Sequence, residues 1–159
     1  MKSATTFKSV HAVVRLLVLG AGLWGCAPAW AQQPLPRVEL GAGMFRIEAE
    51  VAATLEHRML GLMQRESMPP QHGMLFLFPE AQRHCMWMKN TLLPLSVAFL
   101  DEQGRIINVE EMKPQTEDNH CAAKPARFAL EMNQGWFKSK GLGAGTLIRG
   151  AEQLLPYAR

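Results

Sequence analysis

The sequence lacks the motifs that identify the common classes of enzyme. No Ser/His/Asp arrangement, phosphate-binding loop or compact pair of carboxylates can be recognised in its 159 residues. The reactions that depend on those groups are therefore not indicated. Internal repeats and low-complexity tracts are also lacking, so a repeat architecture is not expected.

Long hydrophobic runs are lacking as well. The apolar run Leu16–Trp24 is much shorter than the ~20 residues that a membrane-spanning helix needs. Three basic residues precede this run and Ala-Trp-Ala follows it at positions 29–31, an order typical of a secretory signal peptide. We predict a signal peptide over residues 1–31, cleavage after Ala31 and a periplasmic or secreted protein. Lipoprotein processing at Cys26 is the alternative.

Charge of one sign is lacking once the predicted signal peptide is set aside. The chain has 17 Lys and Arg against 14 Asp and Glu, and three of the basic residues lie within residues 1–31. Residues 32–159 therefore carry 14 charges of each sign. No Lys/Arg cluster remains that could follow a phosphate backbone, so we expect no nucleic acid partner.

Cysteine is scarce, and Cys26 falls within the predicted signal peptide. Cys85 and Cys121 remain, an even number in an exported protein, for which a disulfide is the default expectation. They lie 36 positions apart, and closing such a loop would stabilise the fold by about 3 to 4 kcal/mol. Alternatively, the reduced cysteines could bind zinc together with His84 and His120.

Short apolar segments separated by turn signals make up most of the chain after position 43. We predict a loose N-terminal segment over residues 32–43 and one β-rich domain over 44–156. A helix is predicted from Thr54 to Gln64, with Leu55, Met59, Leu62 and Met63 at helical spacing, and a short helical turn at 136–140. The predicted strands are 44–51, 73–78, 84–88, 95–100, 106–112, 127–132 and 146–149. The expected fold is mainly β, a compact β-sandwich or barrel-like domain with one packed α-helix and a short C-terminal helical turn.

A set of motif residues follows in a fixed order along the chain. They are Arg58, Gly61-Leu62-Met63, Arg65, Gly73-Met74-Leu75-Phe76, Phe78, Trp87-Met88-Lys89-Asn90-Thr91, Pro94-Leu95, Phe99, Gly104, Pro114, Leu130-Glu131 and Gly135. In this order the chain resembles the domain of unknown function 192 family, a group of small, mostly exported bacterial and archaeal domains. The resemblance implies a compact β-sandwich with a helix packed on one side, and it implies no activity. Ser96 and Thr146 stand where the family usually has acids, and the cysteine pair is not part of the general pattern.

The motif residues suggest a ligand site, because Lys and Asn beside Trp and Met need either a structural partner or a ligand. Arg58, Gly61 and Arg65 share a stripe of the predicted helix that could clamp a carboxylate or another anion. Alternatively, both arginines pair with acids, and Gly61 only lets the helix approach the sheet. The predicted ligand-binding residues are Arg58, Arg65, Trp87, Lys89, Asn90 and Glu131.

Each of the remaining candidates also has a structural alternative. Glu131 could contact the ligand or neutralise Lys89 or an arginine. Lys89 could be a nucleophile if burial lowered its pKa. Asn90 and Thr91 could instead form a turn. Trp87 could stack on a ligand or belong to the core.

Four side chains near the cysteines suggest soft-metal chemistry. His84, Met86 and Met88 alternate, so in a strand they share one face, and His120 precedes Cys121. Imidazole and thioether donors favour copper, above all Cu(I). Packing of the methionines in the core is the alternative.

Taken together, the sequence favours a non-catalytic module that binds a small ligand or a protein, without a cofactor. The alternatives are an enzyme acting on a small anionic or carbohydrate substrate in the same site, and copper binding.

Overall fold

The computed structural model describes residues 35–157. The predicted signal peptide, its cleavage site and Cys26 lie outside these residues. The described strands are β1 Arg37–Ala42, β2 Phe45–Ala52, β3 His72–Gln82, β4 Cys85–Met86, β5 Leu95–Leu100, β6 Ile106–Met112, β7 His120–Cys121, β8 Ala126–Asn133 and β9 Ile148–Arg149. The helices are α1 Leu55–Leu60, α2 Trp136–Ser139 and a 3₁₀ helix at Glu152–Tyr157. None of these helices is long and apolar enough to cross a membrane.

Seven strands form one sheet in the order β6-β5-β8-β3-β2-β1-β9, and β4 pairs with β7 in a separate ribbon. Neighbouring strands of the large sheet are antiparallel except β2 and β3, which run parallel. A parallel pair cannot be joined by a tight hairpin, so the chain needs a crossover between them. Residues 53–71 are that crossover, and they carry α1.

The two edges of the sheet meet at one end. Ile106 donates its backbone N–H to Thr146 O and accepts one from Gly145, both at 2.8 Å, and Ile148 N–H donates to Gly104 O at 2.8 Å. These bonds connect the start of β6 with the segment that leads into β9, so the curled sheet is barrel-like. The prediction of a mainly β, barrel-like domain is confirmed.

Both faces of the central strand β3 are buried, as its unbroken apolar sequence predicts. Leu75 and Leu77 point into one cluster, which includes Phe137 of α2. Met74 and Phe76 point into a second cluster on the opposite face, which connecting segments cover with residues such as Leu62, Met88 and Leu93. The candidate site described below lies on this second face.

Several strands differ from the prediction. The segment predicted to be loose contains β1, which pairs with β2 along its whole length and buries Leu40 and Ala42. Strand β3 continues past Pro79, although proline has no backbone N–H to donate. The pairing of β3 with β8 is interrupted between Leu77 and Gln82, so no hydrogen bond between the strands is lost at Pro79. The predicted strand 84–88 shrinks to β4, and β7 lies between the predicted strands 106–112 and 127–132.

The helix prediction was too long, and its apolar stripe was wrong at two positions. Helix α1 ends at Leu60, because Gly61 adopts φ 49° and ψ −133°, a conformation essentially confined to glycine. Leu55 and Met59 are 66% and 65% exposed, and α1 contains no buried residue. The helix therefore covers a cavity and does not pack tightly into the core.

Candidate functional site

A cavity of about 370 Å³ lies between the crossover and the second face of the sheet. Residues 58–63 form its roof, and residues 84–87 form a side wall. Strands β3 and β8 provide the floor. The cavity is lined by residues 58–63 and 84–87 together with Phe76, Phe78, Pro79, Thr91 and Glu131.

Short-range contacts hold the roof in place. Thr54 caps α1 by accepting the His57 N–H at 3.2 Å. Arg58 donates through Nη1 to the backbone oxygen of Ala53 and, at 2.9 Å, to that of Leu77. These carbonyls lie just beyond the last β2–β3 pair, so Arg58 joins the roof to the end of β2 and to the middle of β3.

Gly61 brings the roof close to the floor. A Cβ atom at this position would lie 3.2 Å from Cζ of Phe76, which is tighter than most packing contacts. This geometry supports the alternative in which Gly61 serves close approach of the helix to the sheet.

The side wall is joined to β7 by a disulfide. Cys85 and Cys121 face each other in the β4–β7 ribbon and are bonded to each other, which confirms the predicted pair in this structure. Ala122 N–H also donates to His84 O at 2.9 Å. Two strands of two residues each make few backbone bonds, so the disulfide is the main covalent support of this wall.

Glu131 is the principal polar group on the floor. It lies in β8 between Met74 of β3 and Val97 of β5, on a face that is otherwise apolar. Only 3% of Glu131 is exposed, and no group within residues 35–157 hydrogen-bonds its carboxyl group. Burial raises the pKa of Glu131 to about 8, so the carboxyl group keeps its proton at neutral pH.

The structure brings together three of the six predicted ligand-binding residues. Arg58, Trp87 and Glu131 line the cavity. Trp87 stands at its rim and is 44% exposed, and Met59 and Leu60, which also line the cavity, are exposed as well. The other three predicted residues, Arg65, Lys89 and Asn90, do not line the cavity.

Arg65 is engaged by an acid, Glu50, as in the alternative in which both arginines pair with acids. Its Nη1 and Nη2 donate to the two carboxylate oxygens of Glu50 at 2.7 and 2.6 Å. The hydrogen bond from Arg65 lowers the pKa of Glu50, and the same bond raises the pKa of Arg65. This bidentate pair ties the crossover to β2 outside the cavity.

Lys89 and Asn90 have structural roles: Lys89 contacts neighbouring side chains, and Asn90 forms part of a turn. Lys89 Nζ lies 3.6 Å from a carboxylate oxygen of Glu117 and 5.2 Å from the ring centroid of Trp87. Asn90 is exposed with φ 57°, and Thr91 N–H donates to Met88 O at 3.0 Å. Asn90 thus occupies the left-handed position of a turn, a conformation that asparagine tolerates well.

The candidate copper donors do not share one strand face. Met88 lies beyond the two-residue strand β4 and is fully buried in the second cluster. The His84 ring stacks on Phe78 at 3.7 Å, and its Nε2 lies 2.9 Å from Glu80 O. Met86 and His120 are paired across β4 and β7. Residues 35–157 contain no group of three or more His, Cys, Asp and Glu side chains that could hold a metal ion. Copper binding through methionine stays a prediction.

Ser96 and Thr146, which stand where the family usually has acids, both lie outside the cavity. Ser96 is buried, donates to Glu111 Oε2 at 2.8 Å and accepts the Gly135 N–H at 2.8 Å. It therefore supports the turn before α2. Thr146 accepts the Gly143 N–H through Oγ1 at 3.2 Å, close to the junction of the sheet edges.

Several cavity residues were missing from the predicted site. Phe76 and Phe78 were assigned to a core strand, and Met59 to the packed face of the helix. The exposure of apolar side chains on α1 would have indicated a cavity, but exposure cannot be read from a sequence. Thr91 was assigned to a turn, which it does form while also lining the cavity.

Comparison with known proteins gives a family but no activity. The sequence profile of the DUF192 family, described as Uncharacterized ACR, matches residues 38–150. No curated protein matches the chain.

Two crystal structures share the fold. One is a proposed transcription regulator from Sinorhizobium meliloti 1021, with 37% sequence identity, a TM-score of 0.68, and coverage of 73% of this chain and 93% of that one. The other is a protein of unknown function from Novosphingobium aromaticivorans DSM 12444, with 27% identity, a TM-score of 0.71, and coverage of 77% and 89%.

Proposed function

This chain belongs to the DUF192 family of uncharacterised domains, and from that premise we propose that its cavity binds a small organic ligand without transforming it. The observation that carries the proposal is the carboxyl group of Glu131, buried in the cavity without a partner among the described residues. Glu131 is among the residues that line the cavity, so a ligand there could reach its carboxyl group. A bound polar group would give this carboxyl group a hydrogen-bond partner that the described residues do not supply.

The shape and lining of the cavity support the same proposal. A volume of about 370 Å³ falls at the lower end of the usual range for small-molecule pockets. Most of the lining is apolar, and the thioethers of Met59, Met63 and Met86 can adapt to ligands of different outline. The exposed indole of Trp87 offers a flat surface at the entrance. We expect a ligand with an apolar body and one polar end.

The proposed location of this activity is the periplasm or the cell exterior. The disulfide between Cys85 and Cys121 supports this location, because such bonds persist mainly in oxidising compartments.

The name of the Sinorhizobium relative raises a different possibility, a role with DNA. The equal numbers of acidic and basic residues after position 31 give this role little support. We retain the small-ligand proposal.

Fragment screening by NMR with matched variants tests the proposal. Fragments should shift the amide signals of Gly61 and Trp87. Trp87→Ala should weaken binding, because the indole lines the entrance. Tyr157→Ala is the control, since Tyr157 is an exposed aromatic residue that does not line the cavity. Fragments that bind only elsewhere, or that bind equally to both variants, would contradict the proposal.

A second candidate function is catalysis in the same cavity. It is favoured by the raised pKa of Glu131, about 8, which suits a general acid or base near neutral pH. The substrate would be a small anion or a carbohydrate. Turnover in a substrate screen that is lost in Glu131→Gln, while ligand binding remains, would favour this candidate over simple binding.

A further inference from the structure

Among the described residues that line the cavity, Glu131 is the one that carries a carboxyl group. Its neighbours on the adjacent strands β3 and β5 are Met74 and Val97, and both are apolar and fully buried. The carboxyl group has no hydrogen-bond partner within residues 35–157. A ligand in the cavity would therefore meet a buried carboxyl group whose capacity for hydrogen bonds is unused.

The other charged or titratable side chains of the lining, Arg58 and His84, are engaged by the protein itself. The guanidinium of Arg58 donates to two backbone carbonyls, which join it to β2 and β3. The ring of His84 stacks on Phe78 at 3.7 Å. Glu131 therefore determines which polar group a ligand can present to the floor of the cavity.

The protonation state of Glu131 defines the complementary group. Burial raises the pKa of Glu131 to about 8, so the carboxyl group is neutral at pH 7. A neutral carboxyl group offers one O–H donor and one carbonyl acceptor side by side. A primary amide presents the matching C=O and N–H on the same side, so the two groups can join through two hydrogen bonds. A trans secondary amide, such as an ordinary peptide bond, points its C=O and N–H in opposite directions and cannot form both bonds.

Charged groups and simple acceptors match this carboxyl group less well. An amine that took its proton would form an ion pair, which requires moving two charges from water into an apolar cavity. A carboxylate would accept the O–H, but it would lose its hydration and place a second oxygen against the acceptor oxygen of Glu131. A ketone would also accept the O–H, but it would leave that acceptor oxygen without a donor.

We infer that the cavity takes a small uncharged ligand with an apolar body and one primary amide group, which Glu131 holds through a pair of hydrogen bonds. The apolar body would lie against Phe76 and Trp87, which line the cavity. This inference rests on the proposed function and adds the chemical class of the ligand.

Two series of ligands with matched bodies test the inference. The aryl series is benzamide, acetophenone, benzoate and benzylamine, and the alkyl series is hexanamide, methyl pentyl ketone, hexanoate and hexylamine. Their affinities for the full mature protein are measured by isothermal titration calorimetry and by the NMR shifts of Gly61 and Trp87. At pH 7 each amide should bind at least about tenfold more tightly than the carboxylate or amine of its series. It should bind at least about fivefold more tightly than the ketone, which has the same size but no N–H.

Two variants at position 131 test whether Glu131 causes this preference. Glu131→Gln keeps a donor and an acceptor side by side, so it should still prefer the amide to the ketone at pH 7. Glu131→Met removes both groups at a similar side-chain size, so the amide should lose its advantage over the ketone while both ligands still bind through their apolar bodies.

The pH dependence gives a further readout. Between pH 7 and pH 9 the affinity of the wild type for amides should fall about tenfold, since ionised Glu131 no longer has an O–H to donate. Arginine stays protonated over this range, and imidazoles ordinarily titrate below it. The fall should be absent in Glu131→Gln, whose amide does not titrate.

The outcomes separate the two proposals. If a carboxylate, amine or ketone binds in the cavity as tightly as the amide of its series, the inferred ligand class is overturned while small-ligand binding stands. If no probe binds to the folded protein at millimolar concentration, both proposals are overturned. A preference for amides that persists unchanged in Glu131→Met would overturn the role of Glu131.

Discussion

Replacing Glu131 by glutamine should change how the stability of the protein depends on pH. In the unfolded chain this carboxyl group titrates near its ordinary pKa of 4.5, whereas burial raises the pKa in the folded protein to about 8. Between these values the folded state holds a proton that the unfolded state has lost. The contribution of Glu131 to stability is therefore fully present below pH 4.5 and is lost as the pH rises through 8.

The magnitude follows from proton linkage. Each pH unit within this window should lower the free energy of unfolding by about 1.4 kcal/mol, or on the order of 5 kcal/mol across the whole window. Glu131→Gln removes this proton while keeping the size and polarity of the side chain. At pH 5 the variant and the wild type should be similar in stability, and at pH 8 the variant should be the more stable protein.

Urea denaturation at a series of pH values from 5 to 8 measures the effect, taken as the difference between wild type and Glu131→Gln. Glu50→Gln is the control, because Arg65 lowers the pKa of Glu50. The stabilising contribution of Glu50 is present above pH 4.5 and is lost only as the pH falls, so its difference from wild type should stay constant over this series. A constant difference for Glu131→Gln as well would refute the reasoning, since it would mean that Glu131 is not buried as a neutral acid.

Three other variants test the construction of the cavity. Gly61→Ala should destabilise the protein by about 1–3 kcal/mol in urea denaturation, because the backbone conformation of Gly61 is confined to glycine. Gly143→Ala is the control: a Cβ atom there would meet open space, so stability should change by less than about 0.5 kcal/mol. Replacing both Cys85 and Cys121 by alanine should lower the free energy of unfolding by about 4 kcal/mol and make it insensitive to reductant; an equal response of both proteins to reductant would contradict this. Trp87→Ala should change the melting temperature little, since the indole is 44% exposed, and a large loss of stability would show that Trp87 belongs to the core.

The sequence predicted the fold best where local patterns determine it. Strands β5 and β6 have the predicted bounds, because their apolar pattern is clear and the turn between them has its own signal. Asp101 Oδ1 accepts the backbone N–H groups of Gln103 and Arg105 at 3.0 and 2.8 Å, so that turn is built from neighbouring residues. Strand β1 was missed because its pairing with β2 is a tertiary contact that Pro-rich flanking sequence obscures.

The site was predicted only in part, because burial and pairing depend on distant residues. Glu131 is a lone acid in an apolar strand, and this signal was visible in the sequence. The partner of Arg65 was not visible, since Glu50 lies in β2, 15 positions before Arg65. On α1, apolar spacing predicted core packing, but Leu55 and Met59 are largely exposed, and Met59 lines the cavity. Periodicity shows that residues share a face, and it does not show whether a core or a cavity lies beneath them.

The single parallel pair in the sheet, β2 and β3, has a consequence for how ligand preference could vary among proteins of this architecture. Parallel pairing obliges the chain to leave the sheet and return through residues 53–71, so a covering segment above the floor is part of the topology. This segment contributes six of the cavity-lining residues, 58–63, and none of the seven strands of the large sheet. Its sequence and length can change while the strand ladder stays intact. An engineer seeking a new ligand specificity could therefore exchange this segment and leave the barrel unaltered.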